Sequence, residues 1–328
     1  MTYYWPYQTL FMNYEEPMPT FYISIAIIQY PGSLLSAVYG LEEMFEIANS
    51  LCSEQGLDVS FSTQLIKESD VTTQQRTYDL ILLPPSTHDS YYLNPNNDFI
   101  TWLKEQYSKG AICATACAAA FILAEAQLIK NTSITTHWRL ESTFRQKYPH
   151  INLKVDAILI NEGQIITAGG MMSWMDLGFE IVTQFTNVQT LRELGRYLVI
   201  DTSPREQRYY AKFIPPLNHG DEAVLALQHH IHAHFDQDLS IQSLMSLFHF
   251  TQRTLHRRFI KATGYNPSQY IQRYRVQKAC QLLETTHLPF ESIAFNLGYQ
   301  DANALRKKFV EIMGLSPKEF KNRFHLKP

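Results

Sequence analysis

The sequence predicts a two-part chain, an α/β domain built on a parallel sheet followed by an all-α domain, and three observations carry that prediction. Apolar, β-branched runs at 21–28, 57–63, 78–83 and 111–116 alternate with helix-like stretches at 36–49 and 98–109. Runs apolar on both faces, interleaved with amphipathic helices, suit strands covered on both sides, the situation of a parallel sheet. Farther on, Pro204, Pro215, Pro216 and Gly220 punctuate a stretch without sustained periodicity, and everything beyond it reads as short helices. Charge divides in the same place: residues 1–216 hold 14 Lys and Arg against 22 Asp and Glu, net −8, whereas residues 217–328 hold 14 against 9, net +5. The expected boundaries are an aromatic-rich extension at 1–19, an α/β domain at 20–202, a linker at 203–220 and a helical domain at 221–328.

In the first part, FYISIAII (21–28) and LDVSFST (57–63) are strands flanking the helix at 36–49. YDLILL (78–83) and AICATA (111–116) flank the helix at 98–109. The last of these strands runs directly into the alanine-rich helix AAAFILAEA, with Cys117 at the junction. Strands at 152–160 and 164–168 and helices at 174–185 and 188–200 complete the domain.

Composition sets limits on function. Apolar residues at 45% and charged residues at 18% describe a well-cored globular protein. The start MTYYWPYQTLFMNYEEPMP lacks the basic, apolar and small-residue pattern of an export signal, and no run approaches the roughly 20 apolar residues that cross a bilayer. A cytoplasmic protein without membrane contact is expected. Cys52, Cys113, Cys117 and Cys280 form neither a disulfide ladder nor a metal-ligand pair. His230 and His234, four apart in LQHHIHAHF, have metal-ligand spacing but no third ligand nearby, so exposed or capping roles are expected and no metal or cofactor is called for.

The second part repeats itself. Residues 221–235 form one amphipathic helix; a second is capped by Ser240, a turn falls at His249 and Phe250, and a third helix begins at Thr251. Leu255 and Phe259, four apart, face inward on this third helix, which turns Arg253, His256 and Arg257 outward. That is a helix-turn-helix with its reading helix second. About 50 residues later Ile293, Ala294 and Leu297, a Gly298-Tyr299 turn, a helix opening at Asp301, and inward Leu305 and Phe309 reproduce the pattern. GYNPSQY after the first unit is matched by GLSPKEF after the second, and residues 268–284 are long enough for one helix joining them. From Ser240 onward there are 14 basic residues against five acids, net +9, the electrostatic footprint of a nucleic-acid binder.

This region, with FESIAFNLGYQDANALRKKFVEIMGLSPKEFKNRF as its most characteristic stretch, resembles the DNA-binding domain of the AraC/XylS family of transcriptional regulators. The resemblance implies two reading helices in successive major-groove segments, with Arg253, His256, Arg257, Asn303, Arg306 and Lys307 reading bases and Thr251, Arg258 and Lys308 contacting phosphate. It also implies double-stranded promoter DNA as partner, RNA polymerase as a possible further one, and a homodimer.

The first part offers YPG (30–32), GLEEMFEIAN (40–49), AICATACAAAFILAEAQLI (111–129), TTHWR (135–139) and ITAGGMMSWMDLGFEIV (166–182). In that order they resemble the glutamine-amidotransferase-like domain of intracellular-protease type that is fused to such a DNA-binding domain in one AraC subfamily. The resemblance implies a flavodoxin-like sandwich whose cysteine elbow, Cys117, pairs with His137. Three departures weigh against chemistry. Alanine flanks Cys117 where glycine is frequent; Pro84-Pro85-Ser86 replaces a Gly-Gly loop, and proline has no amide to stabilise an oxyanion; Trp174 and two methionines stand where small residues are usual. The expectation is therefore a non-catalytic pocket at the carboxyl ends of the strands, lined by Gly32, Glu43, Ser86 and Cys117 on one side and His137, Trp138, Met171 and Trp174 on the other. An amino-acid-like or quaternary-amine effector is implied, with Trp138 and Trp174 as a cation-binding face. The competing expectation is a cysteine-dependent amidase or hydrolase using Cys117 and His137.

Overall fold

The computed structural model describes residues 21–88, 91–203 and 205–325, which fall into two compact units. The aromatic-rich extension at 1–19 lies outside the described residues. In the first unit the chain runs β1 (Phe21–Gln29), α1 (Leu35–Glu54), β2 (Val59–Lys67), β3 (Leu80–Leu83), α2 (Asn97–Ser108), β4 (Ile112–Ala116), α3 (Ala120–Glu125), β5 (Ser133–Ile134) and α4 (Glu141–Lys147). It continues through β6 (Asn152–Leu153), β7 (Leu159–Asn161), β8 (Ile165–Ala168), α5 (Trp174–Phe185) and α6 (Val188–Leu198).

The main sheet has the order β2-β1-β3-β4-β8-β7, parallel except for the antiparallel edge strand β7. β1 buries six consecutive residues, Ile23 to Ile28, because helices cover both faces of a central parallel strand. Edge strand β2 is not left open: Asn49 on α1 donates from Nδ2 to the Phe61 carbonyl at 2.8 Å, and the Phe61 amide donates to Asn49 Oδ1 at 2.7 Å. α1 and α5 approach closely because each offers a glycine to the other's bulk. A Cβ on Gly40 would lie 2.6 Å from the Trp174 ring, and one on Gly178 would lie 2.5 Å from Met44 Sδ.

The expected single strand at 152–160 is broken. β6 pairs with β5 in a separate two-stranded ribbon, β7 returns to the main sheet, and Val155–Ala157 between them group with the second unit. Ala157 forms a bridge with Glu206, and the Gln207 amide donates to the Asp156 carbonyl at 2.8 Å. Those partners satisfy the backbone that a continuous strand would have used.

The second unit consists of α7 (Glu222–Ala233), α8 (Ile241–Leu247), α9 (Gln252–Thr263), α10 (Pro267–Thr285), α11 (Phe290–Asn296), α12 (Ala302–Met313) and α13 (Pro317–Phe324). It has two cores threaded on α10. Tyr270 and Ile271 at the front of α10 join Leu244, Leu255 and Phe259, while Val276, Cys280 and Leu283 at its back join Ile293, Leu305 and Phe309. Each buried Phe is worth roughly 1.5–3 kcal/mol in removal of apolar surface from water.

The stretch expected as a linker is not loose chain. Within the second unit Tyr210 packs edge-on against Phe324 at 5.5 Å, and Arg323 lies 5.5 Å over the Tyr209 ring. Phe213 packs on Tyr265 and Tyr270, and its amide donates to Gln277 Oε1 at 2.9 Å. Residues 209–213 thus touch both helical cores.

Candidate functional site

The two helix-turn-helix units, α8–α9 and α11–α12, match element by element. α9 and α12 each span 12 residues and end on glycines, Gly264 at φ 78° and Gly314 at φ 71°. Each is followed by a helix with proline in its first turn and a reciprocal capping box, Asn266 with Gln269 and Ser316 with Glu319. Leu255, Phe259, Leu305 and Phe309 are all fully buried. The turns differ by one residue, four between α8 and α9 and five between α11 and α12. The left-handed position is His249 (φ 55°) in the first and Gly298 (φ 76°) in the second.

Outward, Arg253 and Arg257 on α9 and Asn303, Arg306 and Lys307 on α12 are exposed, and His256 is half-buried. The three side chains assigned to phosphate are more engaged. Thr251 caps α9, its hydroxyl accepting from the Thr254 amide at 3.3 Å. Lys308 pairs with Glu311 at 2.8 Å. Arg258 is held in a two-point pair with Asp221, the cap of α7, at 2.9 and 2.6 Å, and its guanidinium lies 5.2 Å from the Phe250 ring centroid. Bonding from Arg258 lowers the Asp221 carboxyl below its ordinary value. Arg258 is therefore an interhelix tie between α7 and α9, a role that sequence spacing could not show because its partner lies 37 residues away.

The histidines of α7 also have structural employment. His234 Nδ1 meets the His230 carbonyl at 2.9 Å, and the two rings stack at 4.3 Å. His232 Nε2 meets the Tyr270 hydroxyl at 2.8 Å and stacks on Tyr274 at 4.3 Å.

In the first unit the junction of β4 and α3 is a tight elbow on which Cys117 adopts φ 59°. A non-glycine residue there costs about 1–2 kcal/mol, so the strained turn is kept although glycine does not flank it. Ala116, Ala118, Ala119 and Ala120 are all buried around it. The thiol is buried, and burial pushes it up to about 12, the Ala118 amide pulling weakly the other way. A helix amino terminus commonly lowers a cysteine; desolvation wins here.

Near Cys117 lies Tyr30, which no local pattern in the sequence marks. Tyr30 is buried, stacks on Tyr91 at 5.4 Å, and donates from its hydroxyl to the Pro84 carbonyl at 2.5 Å. Its phenol is held well above the ordinary value, by burial first and then by the neighbouring Cys117, Tyr91 and Tyr92. The Pro84-Pro85 loop offers acceptors rather than amides: Pro84 O takes Tyr30, and Pro85 O takes the Leu34 amide at 2.8 Å.

Of the eight expected lining residues, the structure brings Gly32 and Ser86 together, the Ser86 hydroxyl lying 3.3 Å from the Gly32 carbonyl. Thr136, next to His137, donates to the Cys117 carbonyl at 2.8 Å. His137 itself caps the turn at Trp138–Leu140, its Nδ1 accepting from the Arg139 amide at 3.1 Å, and its ring lies against Trp138 at 5.6 Å. Burial, and then Arg139, lower its basicity. No hydrogen bond joins Cys117 to His137 among the described residues. Met171 is half-buried, but Glu43 is exposed on α1, and Trp174 is a core residue with its ring edge against Gly40. Trp174 was expected to offer an open face to a cation; packing against α1 takes that edge instead.

An α/β sandwich with a cysteine elbow, joined to a tandem helix-turn-helix, defines the class. The DJ-1/PfpI family model matches residues 47–184, and a helix-turn-helix domain model matches residues 244–323. By these matches the amino-terminal unit is similar to DJ-1/PfpI proteins and the carboxyl-terminal unit to helix-turn-helix domains. It is 22% identical over 221 residues to the HTH-type transcriptional regulator CdhR of Pseudomonas aeruginosa, covering 67% of this chain and 66% of that one. Over 209 residues it is 22% identical to the HTH-type transcriptional regulator GlxA of Rhizobium meliloti, covering 63% and 64%. The HTH-type transcriptional activator RhaS of Escherichia fergusonii is 34% identical over 106 residues, 31% of this chain and 38% of that one. The chain thus spans at most 66% of the length of these curated relatives. A putative transcriptional regulator from Vibrio parahaemolyticus of known structure aligns with 54% of this chain and 98% of its own at 16% identity, TM-score 0.48. No helix among the described residues is long and apolar enough to cross a membrane.

Proposed function

We propose that this protein is a sequence-specific DNA-binding transcriptional regulator. The observation that carries the proposal is the tandem repeat: two reading helices with the same buried Leu-x-x-x-Phe and the same outward positions filled by Arg253, His256 and Arg257 or by Asn303, Arg306 and Lys307. Arginine can clasp guanine O6 and N7, and each good pair contributes roughly 1–3 kcal/mol of discrimination. The HTH-type regulators among its relatives support the same function. Fluorescence anisotropy on a duplex selected from random sequence tests it. Arg257→Ala and Lys307→Ala should each weaken binding by about tenfold and flatten its salt dependence; unchanged affinity and slope in both would sink the proposal.

The DJ-1/PfpI-type domain, in this account, senses a small metabolite without transforming it. A thiol at about 12 leaves almost no thiolate at neutral pH, and His137 is spent on a backbone amide. What supports a ligand is polarity without partners. Ser33 Oγ after β1, Thr115 Oγ1 near the end of β4 and Trp174 Nε1 after β8 are buried with no hydrogen-bond partner among the described residues. All three lie toward the carboxyl ends of sheet strands, where α/β proteins bind small molecules. A thermal-shift screen of amino acids and quaternary amines on the full chain should give a hit that Ser33→Ala weakens. Turnover of any amide substrate that Cys117→Ser abolished would favour the enzyme instead.

A further inference from the structure

The outward faces of the two reading helices are built differently. On α12, Arg306 Nη1 donates to Asn303 Oδ1 at 2.5 Å and Nη2 donates to Glu291 Oε1 at 3.2 Å, while the guanidinium lies 5.4 Å from the Phe290 ring centroid. Phe290 and Glu291 form the first turn of α11, so the reading helix is braced by the helix before it. In the first helix-turn-helix the corresponding positions are Ile241 and Gln242 on α8, and Arg253 and His256 on α9. There is no carboxylate there, and neither Arg253 nor His256 makes an ion pair among the described residues.

The brace has a chemical consequence. Reading adenine with asparagine uses both ends of the amide, the carbonyl accepting from N6 and the NH₂ donating to N7. Here the Asn303 carbonyl is turned to a guanidinium, so Nδ2 is the end left for a base. Arg306 has donors only. With one of the two carbonyl lone pairs taken, the pair presents chiefly donors, and guanine, with O6 and N7, is the base that presents two acceptors side by side in the major groove.

We infer that Glu291 is a positioning residue that fixes Arg306, and through it Asn303, as a donor-rich pair selecting guanine over adenine beneath α12. The inference rests on the DNA-binding function proposed above. The test is selection of full-length protein on a random duplex library, for the wild type, Glu291→Gln and Glu291→Asp, with the α12 half-site identified as the one that Lys307→Ala perturbs. Glu291 is 59% exposed in its side chain, so neither change threatens the fold, and a melting curve checks this. Wild type should enrich guanine in that half-site. Glu291→Gln should flatten the preference there by about three- to tenfold, leave the α9 half-site unchanged, and raise affinity for random-sequence duplex several-fold because a negative charge is gone. Glu291→Asp should retain most of the preference. Adenine enriched in the wild-type half-site, an undiminished preference in Glu291→Gln, or a loss spread equally over both half-sites would overturn the inference. No enriched motif at all would contradict the DNA-binding function itself, and this inference with it.

Discussion

The two helix-turn-helix units share a skeleton and differ in most of what that skeleton presents. Leu255 and Phe259 repeat as Leu305 and Phe309, and the glycine caps and the capping boxes that follow repeat too. The outward residues do not repeat: Arg253 becomes Asn303, and His256 becomes the braced Arg306. Even the turn is solved twice, by His249 in a left-handed conformation and by Gly298 in the same region with one residue more. Packing fixes the positions that make a helix pair stand up; the positions that face solvent are free to take on different recognition chemistry.

That comparison can be broken at its cores first. Phe259→Ala and Phe309→Ala should each cost about 3–5 kcal/mol. Because the two cores are separate clusters on α10, hydrogen exchange should show protection lost chiefly in the half that carries the change. Equal loss in both halves would show one cooperative core instead.

The turns give the next largest effect, with opposite signs. Gly298→Ala should destabilise by about 1–3 kcal/mol for the left-handed backbone alone, and more because its Cβ would lie 2.5 Å from the Asp236 carbonyl oxygen. His249→Gly should be neutral or stabilising by up to about 1 kcal/mol, since glycine adopts that φ freely. Chemical denaturation of both variants measures the contrast.

A smaller effect separates the halves by pH. The Asp221 carboxyl is lowered by Arg258, so the pair contributes stability above the ordinary carboxylate range and loses it as pH falls through the lowered value. Melting curves between about pH 5 and 2 should show part of the acid loss in the α7–α9 half, and Asp221→Asn should remove that part. In the first unit, the raised Cys117 thiol predicts slow alkylation by iodoacetamide at pH 8 in the native protein and fast alkylation after denaturation.

Much of this was legible in the sequence. The repeat, the capping residues Ser240 and Thr251, the turn at Gly298 and the strand that runs into Cys117 all announce themselves through local periodicity and local capping chemistry. What did not show depends on distant partners. Tyr209, Tyr210 and Phe213 lack any period, so their packing on the helical cores reads as linker. Tyr30 and Tyr91 meet across about sixty residues, and nothing near either in the sequence marks them as partners. Asp221 opens a helix, and nothing in its spacing shows the tie to Arg258.

Methylation protection of guanine N7 on a selected duplex tests the central claim most directly. Two reading helices in the major groove predict two protected clusters on one face of the duplex, about one helical turn or ~34 Å apart. Arg257→Ala should remove protection from one and Lys307→Ala from the other. A single cluster that both substitutions weaken equally, or no protection of guanine N7 at all, would contradict it.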